Sequence, residues 1–211
     1  MVNITNEDNM ELMARYEDNY FDLAIVDPPY GKRPTRENKM GVKKNNFTPK
    51  DDLWDIKPNE EYFKELKRVS KNQIVWGGNY FIDFLNPTNC FIVWDKVKIG
   101  DIFSHCEIAW TTFTGIAKIF KFQWHGMLQG DMKNKEKINH PTQKPVKLYE
   151  WLLMNYAKEN DKILDTHLGS GSIALACHNL GFDLTACELD KDYYDAAMKR
   201  LKEHQQQLTM F

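Results

Sequence analysis

The sequence predicts an α/β fold, a mostly parallel sheet with one antiparallel strand and helices on both faces. Three observations carry that reading. Short apolar runs alternate with amphipathic stretches along the whole chain. The runs are continuously apolar, as strands are when both faces of the sheet are covered. Three of them end on a carboxylate, Asp27, Asp165 and Glu188. In open α/β sheets that end of the strands is where ligands sit.

The elements follow in chain order. Residues 2–5 form a short strand and 9–17 a helix. Strand 22–27 contains the β-branched run "LAIV" and stops at Pro28 and Pro29, each of which lacks an N–H and fixes φ. A long polar loop, 31–58, leads to helix 59–70, which carries Tyr62, Phe63 and Leu66 on one face. Strands "QIVWG" (73–77) and "CFIVW" (90–94) come next, and 107–113 follows closely enough to pair antiparallel with the latter. A basic loop, 121–139, precedes helix 146–158, strand 162–166 and helix 172–180, for which Ser172 is the candidate N-cap. Strand 184–188 and an amphipathic helix, 191–206, complete the pattern. The chain shows no internal repeat.

Composition narrows the function classes. The chain has 211 residues, 42% of them hydrophobic and 27% charged, enough for one domain with a real core. No apolar stretch approaches the roughly 20 residues of a membrane span, and "MVNITNEDNMELM" has no basic-then-apolar leader, so a cytoplasmic protein is expected. Cys90, Cys106, Cys177 and Cys187 are scattered singly, which indicates neither a metal site nor a disulfide framework. The net charge is −2, but it is unevenly distributed. Residues 31–50 carry Lys32, Arg33, Arg36, Lys39, Lys43, Lys44 and Lys50 against Glu37. Residues 118–147, among them Lys121 and Lys133, hold seven lysines against Asp131 and Glu136. Two basic islands on an acidic body form an electrostatic footprint for a polyanion; the bland reading is a pair of solvated loops.

Two motifs carry chemistry. "DPPY" (27–30) leaves a carboxylate, a rigid backbone carbonyl and an aromatic ring at a strand tip, although Asp-Pro pairs also make plain turns. In "LDTHLGSGS", Gly169 and Gly171 allow a tight turn and a close approach of backbone N–H groups to a ligand. Glu188, about twenty residues on, ends the next strand, where a carboxylate can accept both ribose hydroxyls of a nucleoside.

"DPPY", "HPTQKP" (140–145), "LDTHLGSGS" and "ACELDKDYYDAAMKRL", with "NQIVWGGNYF" and "FIVWDK" between them, resemble the amino-methylating DNA methyltransferases. The catalytic motif precedes the cofactor glycines, an order similar to the permuted β class of that family. The resemblance implies a Rossmann-like methyltransferase sheet and a single circularly permuted domain. Its catalytic half spans about 1–115, its basic recognition loop 116–139 and its cofactor-binding half 140–206, with a short tail at 207–211. It implies transfer of a methyl group from S-adenosylmethionine to adenine N6 of a flipped-out base, within a restriction-modification context. Asp27, Pro28, Pro29 and Tyr30 are then catalytic. Asp8, His140, Thr142, Lys144, Asp165, His167, Gly169, Gly171, Ser172 and Glu188 are then cofactor residues. Where the family usually has Asp-Pro-Phe, this chain has Asp165-Thr166-His167, so an imidazole stands in the place of an aromatic wall. Rival readings are a cytosine-N4 methyltransferase, whose motif more often starts with serine, and a catalytically inactive DNA-binding homologue.

The expected partner is double-stranded DNA, with Lys32, Arg33, Arg36, Lys43, Lys44, Lys121 and Lys133 on phosphate. Only 44 residues separate Asp95 from His140, which leaves little room for a recognition domain, so a short target, relaxed specificity or contacts from a second subunit of a homodimer are expected. The last five residues, Gln207-Leu208-Thr209-Met210-Phe211, resemble the Gln-Leu-x-Leu-Phe peptides that dock on the bacterial sliding clamp. Gln207 would bond at the groove rim, and Leu208 and Phe211 would fill it.

Overall fold

The computed structural model describes residues 1–31, 56–97, 104–125, 128–140 and 142–208. One eight-stranded sheet runs β1 (Val2–Thr5), β10 (Asp183–Cys187), β9 (Lys162–Asp165), β2 (Phe21–Val26), β3 (Ser70–Trp76), β5 (Cys106–Thr111), β4 (Ile92–Asp95), β6 (Lys118–Lys121). All neighbours are parallel except β5, which is antiparallel to both β3 and β4. The mixed sheet predicted from sequence is therefore observed.

The continuous apolar strands are explained by two cores. In β2, Leu23 and Ile25 enter one cluster, while Phe21, Ala24 and Val26 enter the other. β3 divides in the same way, with Ile74 and Trp76 on one face and Val75 on the other. The first core is closed by α3 (Val146–Tyr156), α4 (Ser172–Leu180) and α5 (Lys191–Leu208), through Leu148, Leu152, Ile173 and Leu201. The second is closed by α1 (Asn9–Ala14) and α2 (Glu60–Val69), through Leu12, Met13, Tyr62, Phe63 and Leu66. Each fully buried Leu, Ile or Phe contributes about 1.5–3 kcal/mol relative to exposure.

Several boundaries differ from expectation. α1 ends at Ala14 rather than 17. β3 begins at Ser70, at the C-cap of α2, where the polar Lys71 and Asn72 hide the strand. Residues expected as a basic loop instead contain β6 and a small hairpin, β7 (Trp124–His125) with β8 (Leu128–Gln129). β6 is an edge strand of only four residues whose Ile119 is exposed, and the lysines at both its ends make it look like loop in the sequence. α5 continues to Leu208 and so includes the first two residues of the predicted tail. Among the described residues no helix is long and apolar enough to cross a membrane.

Candidate active site

The parallel strands β1, β10, β9, β2 and β3 deliver their carboxyl ends to one edge of the sheet, and the predicted motifs gather there. β2 is followed by Asp27, and Pro28 behind it is buried. The Tyr30 hydroxyl donates to Asp27 Oδ1 at 2.7 Å, and the Lys144 ammonium pairs with Oδ2. The Tyr30 ring stacks on Tyr80 with centroids 4.7 Å apart, so one of its faces is already covered. Gly77, just past β3, has φ +65°, and a Cβ there would lie 2.2 Å from the Tyr30 ring. Burial, with the Asp27 charge beside it, pushes the Tyr30 phenol far above its ordinary range.

The neighbouring loop follows β9. Asp165 is 2% exposed and accepts the His167 N–H at 3.0 Å. Burial pushes its carboxyl up to about 8, with the charges of Asp27 and Glu188 adding to the effect. His167 fills the predicted aromatic position, edge-on to Tyr62 at 5.3 Å, with ring nitrogens facing Thr166 and Asn9. Burial lowers its pKa to about 3, so the imidazole is neutral.

The cap of α4 is Gly171 itself, at φ +75°, and not Ser172 as expected. Ser172 is the first helical residue; its buried hydroxyl accepts from Arg200 at 2.9 Å and lies 3.1 Å from the Ser170 hydroxyl. Glu188 links the two loops: Oε2 accepts the Gly169 N–H at 2.8 Å and Oε1 the Asp190 N–H at 2.9 Å. Burial raises its pKa against those two backbone bonds. Asp8 is the N-cap of α1 and accepts the Met10 N–H at 2.7 Å.

His140 and Lys144 reach this edge from the chain ahead of α3. His140 lies edge-on to Tyr193 at 4.3 Å and 3.8 Å from where a Gly169 Cβ would be. Burial, with Lys144 nearby, lowers its pKa to about 4. The exposed Thr142 brings its hydroxyl within 3.0 Å of His140 Nδ1. Lys144 departs from the cofactor-end position implied by the resemblance. It is 4% exposed and bound to Asp27 and Glu107. Glu136 fastens segment 136–145 down: it accepts from Val146 N at 2.9 Å and pairs with Arg200 at 2.7 Å.

Of the expected DNA contacts, Lys121 is exposed on β6 and Lys133 is exposed beside Asp131. Lys32, Arg33, Arg36, Lys43, Lys44 and Phe211 lie outside the described residues, as do the side chains of Gln207 and Leu208. Among the described residues no group of three or more His, Cys, Asp or Glu is placed to hold a metal ion. The sequence reading missed Glu107, Glu136 and Arg200. Only Glu107 had a signal, because an antiparallel strand starts on the edge where its parallel neighbours end.

A sequence model of the family described as DNA methylase matches residues 17–199. Type II methyltransferase M.HinfI of Haemophilus influenzae is 25% identical over 246 residues, covering 95% of this chain and 68% of that protein. Type II methyltransferase M.HpaI of Haemophilus parainfluenzae is 37% identical over 68 residues, 32% of this chain and only 22% of that protein. Type II methyltransferase M2.LlaDCHI of Lactococcus lactis subsp. cremoris is 38% identical over 88 residues, 41% of this chain and 32% of that protein. Among solved structures, the M1.HpyAVI–SAM complex superposes with a TM-score of 0.62 at 22% identity, covering 95% of this chain and 100% of that one. The cytosine-N4-specific PvuII DNA methyltransferase superposes with a TM-score of 0.61 at 12% identity, covering 96% and 90%. At those identities the likeness establishes the fold.

Proposed function

This chain belongs to the DNA methylase family, and from that premise we propose that it methylates adenine N6 of a base flipped out of double-stranded DNA, using S-adenosylmethionine. The observation that carries the reading is the side-by-side placement of Asp27 at the tip of β2 and the Gly169–Glu188 link at the tips of β9 and β10. S-adenosylmethionine, when bound, supplies an electrophilic methyl group on a sulfonium sulfur.

The residues present fit that group. Glu188 spends one lone pair of each oxygen on a backbone N–H, which leaves the others for ribose hydroxyls. Asp165, a buried carboxyl pushed up to about 8, is matched by a cationic ligand group. The half-buried His167 offers a neutral ring as a wall, and His140 with Thr142 covers the glycine loop.

On the base side, the N6 lone pair is delocalised into the adenine ring. Asp27 and the Pro28 carbonyl each accept one N6–H bond off the ring plane, which draws the nitrogen towards sp³. The two prolines hold that carbonyl in place without reorganisation. Asp27 would offset positive charge on the nitrogen as it gains the methyl, and one N6 proton then leaves to solvent to give the neutral methylated amine. Tyr30 helps to receive the flipped base, whose extrusion costs a few kcal/mol. Aspartate at the head of the motif favours adenine, since the cytosine-N4 group more often has serine.

Lys121, Lys133 and the basic stretch 31–50 contact phosphate, and a second copy of the chain supplies further contacts. Residues 207–211 dock on a sliding clamp in the bacterial cytoplasm. Since α5 runs to Leu208, its last turn unwinds to enter an extended-peptide groove. A titration of peptide 203–211 against a bacterial clamp checks the docking, and no binding at high micromolar concentration refutes it. The main test is incubation with labelled S-adenosylmethionine and unmethylated DNA, then digestion to nucleosides. Labelled N6-methyladenine supports the reading, N4-methylcytosine replaces adenine by cytosine, and unlabelled DNA overturns it.

A further inference from the structure

Glu107 and Lys144 have no part in the chemistry assigned above, yet they close a set of contacts behind Asp27. The Lys144 ammonium sits between Asp27 Oδ2 and Glu107 Oε2, the latter at 3.1 Å. Glu107 pairs through its other oxygen with Lys96. The Trp76 ring lies on another side of the ammonium, its centroid 5.3 Å away. The four charged side chains come from three strand ends and the 140–145 segment, and their formal charges balance. Glu107 is there because β5 runs backwards. Its first residues, paired with Trp94 and Asp95, lie on the edge where β2 and β3 finish.

Burial alone would drive Lys144 towards the neutral amine, but Asp27 and Glu107 reverse this and hold its pKa above the ordinary value. Burial likewise pushes Glu107 up, and Lys144 with Lys96 brings it down to about 2. The ammonium is therefore no proton acceptor for the reaction. It is a fixed charge that clamps one oxygen of Asp27 while Tyr30 marks the other.

We infer that Glu107 is a positioning residue: by holding Lys144 on its far side, it fixes the Asp27 carboxylate in the one orientation from which it can accept the exocyclic amine. Without the second anion, the ammonium swings wholly onto Asp27 and competes with the base for its oxygens. Misplacement of a reacting group by about 1 Å costs on the order of 100-fold in rate. This inference rests on the reading of Asp27 as the acceptor of the amine.

The test compares wild-type protein with Glu107→Gln in single-turnover methylation, with cofactor affinity measured by calorimetry. Glu107→Gln is expected to lower the rate about 10- to 100-fold while leaving cofactor affinity within about twofold. Lys144→Ala is expected to lose more, and added ethylammonium to restore part of its rate in a concentration-dependent way. The same variant should move the acid limb of the rate–pH profile to higher pH. A wild-type protein that methylates no DNA overturns the reading on which the inference stands. An active wild type with an equally active Glu107→Gln overturns the positioning role alone. If Glu107→Gln does not fold, Glu107→Asp decides, since it keeps the charge but withdraws it from Lys144: a lowered rate at unchanged cofactor affinity supports the role and a wild-type rate refutes it.

Discussion

Glu188 accepts the Gly169 N–H at 2.8 Å, tying the end of β10 to the glycine loop that follows β9. The same carboxylate also holds Asp190 N, so one side chain shapes both loops and still has lone pairs to offer a ligand. Glu188→Ala removes charge-assisted bonds to ribose and is expected to weaken S-adenosylmethionine binding by roughly 1.5–3 kcal/mol. Calorimetry showing unchanged affinity removes Glu188 from the site.

Asp165 makes stability depend on pH. Its carboxyl titrates near 3.8 when exposed and at about 8 in the folded protein, because it is buried. Between those values the folded state binds more protons than the unfolded one, so stability falls as pH rises and levels off above pH 8. Below about pH 6.5 His140 and His167, held neutral by burial, act in the opposite sense, so melting temperatures of the ligand-free protein should decline from pH 7 to pH 8, and Asp165→Asn should flatten that decline. Parallel slopes for the two proteins contradict the assignment.

Gly77 has φ +65° and no room for a Cβ beside Tyr30. Gly77→Ala is therefore expected to cost about 1–3 kcal/mol of stability and to displace the Tyr30 ring. Urea denaturation measures the first effect. A midpoint within error of wild type contradicts the packing described for Tyr30.

The basic stretch 31–50 offers a test by salt. Neutralising Lys43 and Lys44 should weaken binding to all duplexes alike and reduce the slope of log affinity against log salt by about 0.9 for each phosphate no longer neutralised. An unchanged slope returns that stretch to plain solvated surface.

Much of this molecule is readable from its residues, and the exceptions share a cause. The strand "LAIV" announces itself because both faces are buried, so nearly every position must be apolar, and "KILD" does so through the buried Ile163 and Leu164 ahead of its acid. Asp27, Gly169, Gly171 and Glu188 are legible because proline and glycine mark the turns that present them. β6 is hidden because a short edge strand tolerates a lysine at each end. Ser172 misleads because Gly171, at positive φ, takes the cap position and leaves no place for a side-chain cap. Glu107, Glu136 and Arg200, and the pairing of Lys144 with Asp27, escape because the partners are distant in sequence. The Lys144–Asp27 pair spans 117 residues and Arg200–Glu136 spans 64, and no local pattern encodes either.

The central claim is that Asp27 acts on the base and stands apart from the cofactor contacts. It is tested most directly by Asp27→Ala in a single-turnover assay with saturating DNA, with S-adenosylmethionine affinity measured on the same preparation. The account expects methyl transfer to fall by about 100-fold or more, with cofactor affinity within about threefold of wild type. A variant that turns over at near wild-type rate, or loses cofactor binding in proportion to activity, contradicts it.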